Sequence, residues 1–141
     1  MPGLSTTFAL LGQTENEAAS RLLLEALDGP TPAVRAAAVR AVLERRCEPG
    51  LRKLIGEVER LTGEELAIFA EHHGRPAPVL RDMVQSGEVR QVSDACKAAI
   101  RLREYDLMPT LIGMSEDDNR FGDQAAATLN QLADELVHDV L

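Results

Sequence analysis

The chain has 141 residues and a net charge of −8, with 45% apolar, 27% charged and 3% aromatic residues. That length suits one domain with an ordinary core, and the balance of apolar and charged residues excludes wholesale disorder. Twenty Leu and 19 Ala with no Trp are helix-forming material and exclude an all-β sandwich.

Residues 1–13 carry no defined pattern. Thr14 with Glu17 has capping-box spacing and opens a helix whose face is Leu23, Leu24 and Leu27, stopped by Asp28-Gly29-Pro30. Thr31 caps a second helix with Pro32 in its first turn, running through Val34, Ala38, Ala41 and Val42 to about Arg46. Pro49-Gly50 reads as its break. A third helix follows through Leu51, Leu54, Ile55, Val58 and Leu61 to a Thr62-Gly63 turn, and a short fourth runs from Glu64 to about His73. Gly74-Arg75-Pro76 breaks the chain again. The spacing then predicts helices over Ala77–Gln85, Glu88 to about Glu104, Asp106 onward, and Arg120 to the end through Ala125, Leu129, Leu132, Leu136 and Val140. Eight helices and no strand alternation make an all-α chain.

The helix starts recur. Arg35, Gly63, Arg90 and Arg120 each follow a turn, at steps of 28, 27 and 30 residues. Paired helices at such a quasi-period are the signature of an α-solenoid. Pro32-Ala33-Val34-Arg35-Ala36-Ala37-Ala38-Val39-Arg40-Ala41-Val42-Leu43 resembles the second helix of a HEAT repeat. Gly87-Glu88-Val89-Arg90 with Asp106-Leu107-Met108-Pro109, and Arg120 with Ala125-Ala126-Ala127-Thr128-Leu129, resemble further copies, whereas Gly63 stands where the family has Arg. The resemblance implies one α-solenoid domain over 14–141, of about four stacked antiparallel pairs at 14–47, 48–74, 75–104 and 105–141. It also implies that Asp28 and Arg35 interact to hold the first repeat.

Catalytic chemistry finds few residues to use. The metal hydroxylases of HEAT-like architecture repeat His-Glu dipeptides, and this chain has none; His72 and His73 are adjacent and diverge by ~100° around a helix. The acidic turn at Glu116-Asp117-Asp118-Asn119 fails calcium-loop spacing and reads as helix capping. Cys47 and Cys96 lie 48 residues apart, counted between them, and read as reduced thiols rather than a disulfide framework. The expectation is a protein that is not an enzyme, with no cofactor and no metal.

Charge is uneven. Residues 31–61 carry seven bases and four acids, and residues 104–141 carry one base and nine acids. The overall acidic excess disfavours nucleic acid and anionic membranes as partners. Phe8-Ala9-Leu10-Leu11 is too short for a signal core or a membrane span, so a cytoplasmic protein is expected.

In stacked repeats the second helices line the concave, ligand-binding face. Their positions outside the apolar stripes are Arg40, Glu44, Glu71, His72, Lys97, Arg101, Thr128, Gln131 and Glu135. These are the expected protein-binding face of a non-catalytic interaction scaffold. The alternative is an enzyme or small-ligand carrier using the same groove, in the manner of a bilin lyase. The apolar edge of the last helix lacks a polar cap, which predicts either a fragment of a longer repeat protein or self-association through that edge.

Overall fold

The computed structural model describes residues 17–117 and 120–140. The predicted Thr14 cap, the segment 1–13 and the Asp118-Asn119 part of the acidic turn lie outside the described residues. Among those residues the protein is all-helical and has no strand. The helices are α1 (Glu17–Leu27), α2 (Pro32–Arg45), α3 (Glu48–Gly56), α4 (Gly63–Glu71), α5 (Ala77–Val84), α6 (Val89–Arg101), α7 (Met108–Glu116) and α8 (Gly122–Val140). Short 3-10 turns at Val58–Arg60 and Tyr105–Leu107 precede α4 and α7. None of the described helices is long and apolar enough to cross a membrane. The chain divides into two compact units, the first ending at Arg75 and the second beginning at Pro76.

In the first unit α2 is the central element, packing against α1, α3 and α4. Its buried residues Ala36, Ala38, Val39, Ala41, Val42 and Leu43 run around most of the helix, as a helix with neighbours on several sides requires. Leu23 and Leu27 of α1 and Leu51, Leu54 and Ile55 of α3 complete this core, each at most 1% exposed. Each such side chain contributes roughly 1.5–3 kcal/mol by leaving water.

The break after α2 differs from the one the sequence suggested. Arg46 takes the left-handed conformation (φ 58°) and its amide donates to the Leu43 carbonyl, closing the helix there. Pro49 and Gly50 instead lie in the first turn of α3, where proline's missing N–H costs nothing. Gly50 is needed for contact: a Cβ there would stand 2.8 Å from Val42 Cγ2 and 3.0 Å from Cγ1. Thr62-Gly63 is likewise more than a turn. Thr62 caps α4 with a complete capping box, its hydroxyl accepting from Glu65 N at 3.1 Å while Glu65 Oε1 accepts from Thr62 N at 3.0 Å.

In the second unit α5 packs on α6, α7 on α8, and α6 on α8. Ala95, Ala98 and Ala99 of α6 and Ala125 of α8 are fully buried, and small side chains let the helices approach closely. The stop after α5 uses Gly87 at φ 77°, a conformation glycine adopts without strain. The end of α6 uses Arg103 at φ 53°.

Candidate functional site

The α2 residues Ala33, Ala36, Ala37, Arg40, Ala41 and Glu44 follow the i, i+3, i+4, i+7, i+8, i+11 spacing of one helix face. With Glu64 and Ile68 of α4 they line a groove of about 310 Å³ within the first unit. Alanines form its floor, because anything larger would fill the space between the two helices. The rim is charged. Arg40 Nη1 donates to Glu71 Oε2 at 2.7 Å, closing an exposed ion pair from α2 to the end of α4. That hydrogen bond, and then the guanidinium's charge, hold the Glu71 carboxyl below the usual carboxylate range.

The four residues expected on this part of the face, Arg40, Glu44, Glu71 and His72, therefore come together. His72 Nδ1 donates to the Ile68 carbonyl at 2.9 Å, which turns Nε2 toward Glu44 Oε1 at 3.8 Å. Arg75 extends the arrangement, its Nη1 donating to the carbonyls of Leu43 and Glu44 at 2.9 and 3.0 Å. These are end-of-helix acceptors, and an arginine is well suited to them. Arg75 and Glu64 escaped the sequence reading. Arg75 sits in a Gly/Pro break, and nothing local signals that it reaches 32 residues back.

Below the groove lies a second network, and it corrects the expected Asp28–Arg35 pair. Asp28 Oδ1 is bound by Lys53 Nζ at 2.8 Å. That hydrogen bond raises the Lys53 pKa against the opposing effect of burial. Arg35 instead donates to the Leu27 carbonyl and to Glu65 Oε2, both at 2.6 Å, with Glu57 Oε2 at 3.8 Å. Glu65 is 3% exposed, so Arg35 goes to the carboxylate that has lost its water. Asp28, 66% exposed, has water to satisfy it.

The other five expected residues belong to the second unit. Lys97, Arg101 and Gln131 are exposed. Glu135 is half-buried and accepts Arg103 Nη2 at 3.3 Å, beside Asp139, which takes Arg103 Nη1 at 2.7 Å and the Tyr105 hydroxyl. Thr128 is not on a face at all. It is 4% exposed, because the buried stripe of α8 runs through Ala125, Thr128 and Leu132. Its hydroxyl is satisfied by the Gln124 carbonyl at 2.9 Å, which makes burial affordable. It also bonds the Cys96 thiol, whose pKa burial pushes up. Of the predicted C-terminal apolar edge, Leu132 is buried, Leu129 and Leu136 are half-buried, and Val140 is 75% exposed.

Chemically the groove can hold side chains over a small-residue floor and meet charge at its rim. Cys47 and Cys96 are both buried and free. No family model matches the chain, and neither curated proteins nor solved structures give a match.

Proposed function

We propose that the protein is a non-catalytic, HEAT-like interaction scaffold that binds a protein partner in the α2/α4 groove. The observation that carries this reading is the groove itself, an alanine floor with a rim of charged side chains. The stacking of α2 on α4 in one unit, and of α6 on α8 in the other, supports the repeat reading. The proposed face is acidic with one ion-paired arginine, and it takes its partner at Arg40, Glu44, Glu64 and Glu71.

The test places a photo-crosslinking residue at Ala37, on the groove floor, in the host cell. A discrete protein adduct at Ala37, absent from the same residue placed at exposed Glu59 and lost on Arg40→Glu, is the expected result. No adduct at Ala37, or the same adducts from both positions, overturns the docking surface.

A further inference from the structure

We infer that the α2/α4 groove carries a proton-operated clasp, in which one proton taken up by His72 ties the last turn of α2 to the end of α4. The clasp stands on geometry, and its effect on docking rests on the role proposed above. A carbonyl only accepts, so the contact of His72 Nδ1 with the Ile68 carbonyl at 2.9 Å places a hydrogen on Nδ1. In the neutral ring that leaves Nε2 with a bare lone pair. Nε2 faces Glu44 Oε1 at 3.8 Å, and the His72 side chain is 13% exposed. Two acceptors therefore confront each other with no hydrogen between them. Protonation of Nε2 turns the same pair into an imidazolium donor and a carboxylate acceptor. Closing the gap by ~1 Å then makes a charge-assisted hydrogen bond.

The other charged groups around the ring leave this role to Glu44. On α2, Arg40 is engaged by Glu71 at 2.7 Å. On α4, Glu71 feels the His72 charge but already gives an oxygen to that arginine, and Glu64 stands at the far end of the helix. Beyond α4, Arg75 directs Nη1 to the Leu43 and Glu44 carbonyls, and His73 is exposed. The Arg40 and Arg75 charges oppose an imidazolium here, and the Glu44 and Glu71 charges favour it. Among the described residues Nε2 meets Glu44 alone. Glu44 also lines the groove, so the same carboxylate serves a partner or the clasp. Histidines change charge between about pH 8 and pH 5. Above that range Glu44 is open to a partner, and below it the carboxylate is drawn to the end of α4.

The experiment is a double-mutant cycle of Glu44→Gln and His72→Asn in the full chain, read by chemical denaturation near about pH 8 and about pH 5. Asparagine keeps a donor where Nδ1 stands and removes Nε2. At the lower pH the two substitutions should be coupled by ~3-fold in the unfolding equilibrium, and at the higher pH the coupling should vanish. Coupling that is equal at both, or absent from both, overturns the clasp. Nitrogen NMR of the wild type gives a reading that needs no variant. In the alkaline sample His72 should carry its hydrogen on Nδ1, and a hydrogen on Nε2 instead overturns the clasp. The Ala37 crosslink, repeated in host lysate at the same two pH values, reads the effect on docking. Its adduct should fall by ~3-fold or more in acid with His72 present and stay level in the His72→Asn background. An equal fall in both overturns the link between clasp and groove. The cycle uses no partner, so its failure leaves the docking role standing. A missing adduct at both pH values overturns docking and leaves the clasp.

Discussion

Glu65 is the residue on which the first unit turns. One carboxylate closes the capping box of α4 with Oε1 and takes Arg35 with Oε2, at 3% exposure. Removing its cation strands a buried charge. Arg35→Ala should cost ~2–4 kcal/mol of stability, tempered by the 21% exposure of the Arg35 side chain, whereas Arg40→Ala at the exposed pair should cost less than ~1 kcal/mol. Chemical denaturation of the two variants checks the contrast, and equal losses would refute it. In the second unit Tyr105 plays a comparable part. Burial first, and then its hydrogen bond to the Asp139 carboxylate, push its pKa up to about 12. An unfolded tyrosine titrates near ~10. The stabilisation from the neutral phenol is therefore complete below pH ~10 and is lost as pH rises through about 12. Tyr105 is the only tyrosine in a chain without Trp, so ultraviolet absorbance follows it directly. The midpoint should fall toward the ordinary value in Asp139→Asn; an unchanged midpoint would show that the carboxylate does not hold the phenol.

Helix ends and helix phases explain what could be read in advance. Pro32, the Gly74-Arg75-Pro76 break and Gly87 act through their own backbone torsions, so their effects were legible from neighbours alone. The eight described helices were legible from such signals and from apolar spacing, although Pro49-Gly50 read as a break and opens α3 instead. The Thr62–Glu65 box was equally local, yet the glycine beside it suggested only a turn. What escaped were choices made between elements. Arg35 prefers Glu65 to Asp28 because α4 carries a desiccated carboxylate to it from 30 positions away. Thr128 is buried through a small rotation of α8, since it joins the expected Ala125 and Leu132 on the inward face while Leu129 and Leu136 are only half-buried. Such a phase is set by the helices it meets. At Gly50 the contact between α2 and α3 leaves no room for a methyl group beside Val42. Gly50→Ala gains helix propensity of ~1 kcal/mol but must displace a fully buried, β-branched neighbour, and a net loss of ~1–2 kcal/mol is expected in thermal melts. A stabilised variant would mean the two helices separate freely.

For the whole molecule, charge is distributed as unequally as the helices are regular. Residues 1–75 hold nine bases and eleven acids, and residues 76–141 hold six bases and twelve acids. The basic stretch of the first unit is largely consumed by its own acids, at Arg35–Glu65, Arg40–Glu71, Arg52–Glu48 and Lys53–Asp28. The second unit carries an excess of six negative charges that nothing within it neutralises. Self-repulsion of that kind destabilises a compact state, and salt relieves it. Melting followed at Tyr105, which reports the second unit, should therefore shift upward by a few degrees on adding salt. A downward shift would show that the Arg103–Asp139 and Arg103–Glu135 pairs outweigh the repulsion.

The approach of Gly50 to Val42 also has a consequence for descent. Two positions that share one small volume cannot drift independently. Among relatives of this chain, a side chain gained at position 50 should be accompanied by a shorter one at position 42. In the laboratory Val42→Ala should offset much of the damage done by Gly50→Ala. Ancestry would then be written in the space between two helices rather than in either residue.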